Sequence, residues 1–457
     1  MTQLVVRSID ARVRPATLRL PFRFGANTLT ACPQLLVRVE IDGTIGGTDG
    51  YAAELMVPKW FDKRPSLSAA QNIEHLARAV TLAAEAYAND APATPYELHA
   101  RHRDALARAG LAEGLTELSA SYGQAVLDRA VIDALCRARQ VSFFDAAARN
   151  LFGLERVDDL PGWNWSAWLA SLQPLRRIEA RHTVGLLDEL DTVRDGEDGL
   201  PISLRAVVRR YGHRTFKIKL GGDPAADRAR LRDVLAVLDA ECGVDAYRYT
   251  LDGNEQYTGM DALRELLRGL APLRAPLYIE QPVPRELSFE TVLPRSDVPF
   301  LMDEADGSLD AFPRGRACGW RGVSSKGCKG LYKALINRAR CDHWNATQRD
   351  ARCFMSAEDL TCQAGLSLQQ DLALVALLGI THSERNGHHY GRGLHDAPAD
   401  ERRAFCTAHP DLYDGDAHLR IEGGVIALDS LHAAGYAHGA DSDWGATRPL
   451  AEAPDLL

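Results

Sequence analysis

The sequence is short of several things, and each shortage removes a class of function. It has no CxxC pair, and its nine cysteines are an odd number scattered along the chain. That argues against a zinc ribbon or a disulfide framework and for free thiols in a reducing cytoplasm. Basic residues are not in excess: 53 Lys and Arg stand against 62 Asp and Glu, a formal charge of -9. A dedicated nucleic-acid binder carries the opposite balance, so no nucleic-acid partner is expected. Long apolar runs are missing too. The most apolar stretch, 372–380, is far shorter than a bilayer span, and residues 1–14 lack the apolar core of a signal peptide. No membrane association is expected, and the predicted location is cytoplasmic.

What is present is the composition of a globular protein, 46% hydrophobic and 25% charged over 457 residues. Its rhythm changes twice. Residues 4–20 and 34–42 are rich in β-formers, with a loop expected at 21–30 between them. A helical stretch rich in Ala, Leu, Arg and Glu follows over 68–152. From about 183 onward short apolar strands alternate with amphipathic helices. In the clearest unit Thr215-Phe-Lys-Ile-Lys-Leu220 reads as a strand, Gly221 and Gly222 turn the chain, and Asp223 caps a helix that has Pro224 at its first position. Leu231, Val234, Leu235 and Leu238 then mark one helix face. Further strands are predicted at 249–251, 277–279, 300–302 and 322–325. Repeated β-then-α units imply parallel strands with helical crossovers. The end of the chain is loop-rich, and the strand-like piece 424–428 is expected to return to the N-terminal module.

The predicted architecture is therefore α/β: an α+β capping domain over 1–175, a (β/α)8-type barrel over 176–395, and a C-terminal segment, 396–457, returning to the cap. Side chains alternate along a strand, so Phe216, Ile218 and Leu220 should face helices while Thr215, Lys217 and Lys219 face the barrel axis. Two inward lysines are costly unless something there uses them. The later strand ends carry ionisable groups as well. Asp252 follows Leu251, with Asn254 two residues on; Glu280 follows Ile279; Asp303 and Glu304 follow Met302; Lys326 follows Ser325. The steps from Lys219 to Asp252, Glu280, Asp303 and Lys326 are 33, 28, 23 and 23 residues, about one βα unit each. In such a barrel these ends meet at one face, where the active site lies.

The residue types then set the chemistry. Three converging carboxylates repel one another unless a cation joins them. An oxygen-only set without His or Cys favours Mg²⁺ over zinc. An ion held there, with open positions for a substrate carboxylate, stabilises the enediolate left when the adjacent carbon loses its proton. A lysine near a second lysine and a dication is expected to have a lowered pKa and so to serve as a base. Asp303 lies nearer its strand than Glu304, but both are open as the third ligand at this level.

The motifs Lys217-Ile-Lys219, Asp252-Gly-Asn254, Tyr278-Ile-Glu280-Gln-Pro, Asp303-Glu304 and Ser325-Lys326 resemble those of the enolase superfamily, in the mandelate racemase and muconate lactonizing enzyme family. The arrangement is closest to the muconate-lactonizing type. A Lys base with Mg²⁺ is this superfamily's established pairing. The resemblance implies Asp252, Glu280 and Asp303 as metal ligands and Lys219 and Lys326 as the acid/base pair. It places Lys217 near the substrate carboxylate and Glu384 at the end of the eighth strand; Asn254 and Glu384 are the expected substrate contacts. It also implies that 21–30 closes over the barrel mouth, that a small carboxylic acid is the substrate, and that the protein is a homo-oligomer. The activity expected is that of an isomerase or lyase: a racemase, epimerase or cycloisomerase, with an acid-sugar type of dehydration as the alternative. A catalytically silent barrel that binds a small acid is the alternative from another class. Three features depart from the family pattern, one of them the run Gly327-Cys-Lys329-Gly330-Leu after Lys326, with a single Gly where two are common. Gly46-Gly47-Thr48-Asp49 lacks the expected Gly-x-Gly-Glu, and 353–359 contains no His.

Single features have plainer readings. A lone Lys-x-Lys is ordinarily a solvated edge pair, and a lone acid after a strand is ordinarily a helix cap. His382, His388 and His389 read as surface or loop histidines, Lys329 and Lys333 as a solvated helix start, and Arg385 as either an anion contact or an ion-pair partner. Only the ordered set of five strand ends points to a metal site.

Overall fold

The computed structural model describes residues 3–43, 46–155, 160–271, 273–348, 352–360 and 363–457. Three long antiparallel strands open the chain: β1 (Leu4–Phe24), β2 (Asn27–Gly43) and β3 (Thr48–Leu55). The expected loop at 21–30 is instead the tip of the β1–β2 hairpin, paired from Phe22↔Leu29 to Phe24↔Asn27. Its period explains this: Phe22 and Phe24 are buried while Pro21 and Arg23 are exposed. Gly25, at φ +53°, makes the tight reversal. Helices Ala69–Tyr87 and Glu117–Arg139 pack on this sheet, and Pro95–Ala112 packs on those two helices. Glu117–Arg139 is buried along most of its length, as the core of the module requires.

Eight parallel strands then close a barrel: β4 (Arg177–Val184), β5 (Thr215–Lys219), β6 (Arg248–Asp252), β7 (Ile279–Glu280), β8 (Phe300–Met302), β9 (Gly322–Ser325), β10 (Phe354–Ala357) and β11 (His382–Arg385). The seam between β11 and β4 is paired from His382↔Glu179 to Arg385↔His182. The β5 unit folds as its sequence dictates. Asp223 accepts from the amides of Ala225 and Ala226, Pro224 opens the helix Pro224–Cys242, and Leu231, Val234, Leu235 and Leu238 are buried against Phe216, Ile218 and Leu220.

The chain end departs from expectation. Val425–Ala427 forms β12, which pairs antiparallel with Arg177–Glu179 of β4 rather than returning to the N-terminal sheet. The reason is geometric. β4 starts four residues before its first partner in β5, Arg181↔Thr215, and that free edge needs hydrogen bonds. Contact with the first sheet is made later, by β13 (Arg448–Pro449) beside β1. The eight described cysteines are all free thiols; Cys362 lies outside the described residues. Among the described residues no helix is long and apolar enough to cross a membrane.

Candidate functional site

The C-terminal ends of β5 to β9 bring Lys217, Lys219, Asp252, Glu280, Asp303 and Lys326 together, all buried. Lys217 is the hub. Its Nζ lies 2.9 Å from Asp252 Oδ2, 2.7 Å from Glu280 Oε2, 2.8 Å from Glu358 Oε2 and 2.9 Å from Glu384 Oε2. Burial opposes its charge, but these four carboxylates outweigh it and hold the ammonium well above the usual lysine range. Lys217 is thus enclosed by acids rather than turned toward open space.

Lys219 and Lys326 border one small cavity of about 20 Å³ at the barrel mouth, with Asn254, Asp359, Phe22, Phe24, Val57, Trp60 and Leu360. Lys219 Nζ donates to Asp252 Oδ2 at 2.6 Å and to Asn254 Oδ1 at 2.9 Å, and lies 5.6 Å from the Phe22 ring. Lys326 Nζ donates to Asp303 Oδ2 at 2.7 Å and sits 4.2 Å from the Trp60 ring. The hairpin tip and the 57–60 segment therefore cover both ammonium groups. Burial lowers the pKa of Lys326, but Asp303 outweighs it and raises it overall.

Burial first, then the Asp252 and Glu358 carboxylates, push the Glu280 carboxyl well above the usual range. No hydrogen-bond donor is aligned on either of its oxygens, although both are buried. Asp252 and Asp303 behave oppositely: burial is outweighed by Lys217 and Lys219 for the first and by Lys326 and Lys329 for the second, so both are lowered. Gln281 fixes Asp303, its Oε1 accepting from the amides of Asp303 at 3.0 Å and Ala305 at 3.2 Å. Asp303 also accepts from Ser324 Oγ at 2.5 Å. Glu304 is engaged elsewhere, with Lys63 Nζ at 2.8 Å and Asn254 Nδ2 at 3.1 Å. Asn254, Glu255 and Gln281 all have positive φ, so backbone strain is concentrated at these two strand ends.

Glu384 is buried, and its oxygens take Thr183 Oγ1 at 2.6 Å, Lys217 Nζ at 2.9 Å, the Asp359 amide at 3.0 Å and Asn386 Nδ2 at 3.1 Å. Burial raises its pKa, but Lys217 and Lys219 outweigh it and hold it well below the usual range. Glu358, at the end of β10, was invisible to a search of that strand for histidine; it pairs with Arg181 as well as with Lys217. Lys63 was equally hidden, since only the fold brings it to Glu255 and Glu304. The plainer readings of two groups are corrected. His388 and His389 are buried and His382 is partly buried, because β11 and the turn after it lie under other elements. Lys329 and Lys333 converge on Asp306, and Lys329 also donates to Ser324, so neither is a solvated helix start. Arg385 pairs with Asp371 at 2.7 Å.

A larger cavity, about 600 Å³, lies between helices Pro95–Ala112 and Glu117–Arg139 and the 307–313 loop, and no strand-end carboxylate borders it. Chemistry is concentrated at the smaller one.

Residues 202–322 match the family model described as Enolase C-terminal domain-like. No curated protein matches the chain. Similar solved structures extend over nearly the whole of it. One is an enolase from Bradyrhizobium complexed with magnesium and mandelic acid, at 19% identity, 98% of each chain covered and a TM-score of 0.62. Another is a dipeptide epimerase from Enterococcus faecalis complexed with Mg and L-Leu-L-Tyr, at 15% identity, 96% of this chain and 99% of that one, TM-score 0.60. A third is the L-Ala-D/L-Glu epimerase of Bacillus subtilis, at 14% identity with the same coverage and TM-score 0.60.

Proposed function

We propose, for a chain whose residues 202–322 match the enolase C-terminal domain-like model, an isomerase that moves the α-proton of a small carboxylic acid from one face to the other. The observation that carries this reading is the pair Lys219 and Lys326, which border one cavity beside the strand-end carboxylates. An amine and an ammonium on two sides of one carbon are what racemisation or epimerisation needs.

The donors fit a magnesium ion. Asp252, Glu280 and Asp303 are oxygen-only, buried and at the ends of three successive strands, and Glu280 lacks any aligned donor. These three would hold it, as the relatives crystallised with Mg suggest. Bound there, the ion would supply a Lewis acid for the substrate carboxylate. Lys326, held charged by Asp303, is the resting proton donor. Lys219, whose Nζ lies beside Asp252 and Asn254, is the base that takes the α-proton. Proton loss at one nitrogen balances proton gain at the other. Lys217 acts beneath them, holding Asp252 and Glu280 by charge, and Glu384 holds Lys217 in turn. The apolar cover of Phe22, Phe24 and Trp60 excludes water from the exposed carbon.

The test is isotope exchange. With Mg²⁺ and a panel of α-substituted carboxylic acids and dipeptides in D₂O, at least one acid should gain α-deuterium. Silence across the panel, with Lys219→Ala matching wild type throughout, would replace this reading with a binding barrel.

A further inference from the structure

Away from the carboxylates, the described residues bring one group of metal-ligating side chains within 4.8 Å of one another: His182, His213 and His388, all buried. They come from three separate elements. His182 lies on β4 between Arg181 and Thr183, which reach inward to Glu358 and Glu384, so it faces the helical layer. His213 follows the helix Leu204–Tyr211 just before β5. His388 stands on the short turn of helix, Gly387–Tyr390, after β11. The three meet at the seam where β11 closes the barrel on β4.

We propose that His182, His213 and His388 form a structural metal site, separate from the carboxylates, for a first-row divalent ion of zinc's class. Three imidazoles without a carboxylate or thiolate select that class over Mg²⁺. Nδ1 of His182 and Nε2 of His388 are 3.2 Å apart. With Zn–N bonds of about 2.0–2.1 Å, two tetrahedral ligands stand roughly 3.3–3.4 Å apart, so the spacing suits a shared ion. The tautomer of His213 is fixed the same way: its Nδ1 faces the Ala180 carbonyl at 2.9 Å, leaving Nε2 as a lone-pair donor. That Nε2 is buried and has no hydrogen-bond partner. Buried polar nitrogens without a partner are costly, and an ion at this point removes the cost. His389 turns its Nε2 toward Asp188 at 3.9 Å, and Tyr211 packs its ring on His388 at 5.2 Å. Burial lowers the pKa of His182, His213 and His388, which keeps them in the neutral form a metal requires.

The site would brace more than the seam. The His389 carbonyl accepts from Arg19 of β1 at 2.8 Å, and the Tyr390 ring lies 4.4 Å from Phe22. An ion holding His388 therefore steadies the turn on which the covering hairpin rests.

The full chain, stripped by chelator and kept in excess Mg²⁺ to occupy the carboxylates, is titrated with Zn²⁺ and followed by calorimetry and thermal melting. One equivalent should bind and raise the melting midpoint. His213→Gln and His388→Gln should each weaken that equivalent at least about tenfold. Absence of a stoichiometric equivalent, or affinity unchanged in both variants, leaves only hydrogen-bonded imidazoles and overturns the proposal. Should the variants not fold, zinc-edge X-ray absorption on the wild-type protein decides: imidazole scattering supports the site, and an oxygen-only shell rejects it.

Discussion

At the residue scale the account turns on charge placement. Lys217 Nζ contacts four acids at once, so its removal takes a shared cation from a buried pocket. Losing one partner of a buried pair ordinarily costs about 3–5 kcal/mol. Lys217→Met should therefore lower stability by at least that much in chelator, with part regained on adding Mg²⁺; equal denaturation midpoints for variant and wild type would refute the hub role. The ligand set makes a second prediction. Asp252→Asn and Glu280→Gln should each weaken Mg²⁺ binding by about tenfold or more, measured by calorimetry. Unchanged affinity in both would remove these residues from the metal site. The inward direction of Lys217 and Lys219 was legible, because strand alternation is local. Glu358, Lys63 and the three clustered histidines were not, because each matters through a neighbour far away in the chain.

At the element scale the strand ends were readable and the cover was not. Ionisable residues one βα unit apart could be placed without coordinates, and β8 and β9 fall where their apolar runs lie. The segment 21–30 looked like a loop because Pro21 and Gly25 are turn-formers; the buried Phe22 and Phe24 make it a hairpin. The pairing of β12 with β4 was unreadable for another reason: nothing in 424–428 states which free edge it will fill. The hairpin yields its own prediction. Phe22→Ala opens the cover over Lys219 and should reduce α-proton exchange by about tenfold or more, as water enters and orientation loosens. Mg²⁺ affinity should stay as in wild type. A fall in metal binding of the same size would mean that Phe22 supports the whole mouth rather than the cover alone.

At the scale of the whole molecule, the N-terminal module is locked to the barrel by a partly buried charge triad. Glu255 binds Lys63 at 2.7 Å and Arg285 at 2.9 Å, and Arg285 reaches the carbonyls of Trp60 and Phe61. Burial raises the Glu255 pKa, but Lys63 and Arg285 outweigh it and bring it down from 4.5 to about 2. A carboxyl whose folded pKa is depressed gives stability that is present above its unfolded value and is lost as pH falls through the folded one. The difference corresponds to about 3 kcal/mol. Glu255→Gln should thus be destabilised by about that amount at pH 7, and the gap should narrow between pH 4.5 and about 2 in urea titrations. A gap independent of pH would assign the loss to packing. The alternation of β and α predicted the barrel, but this tie between modules depends on which loops meet across the interface.

The central claim is that a lysine stands on each side of the reacting carbon. Once an exchanging acid is known, both of its enantiomers are incubated in D₂O with Lys219→Ala and with Lys326→Ala, and α-deuterium is followed by NMR. The account predicts that each variant loses exchange with one configuration and that the two variants lose opposite ones. Both variants exchanging both configurations at wild-type rates would contradict it.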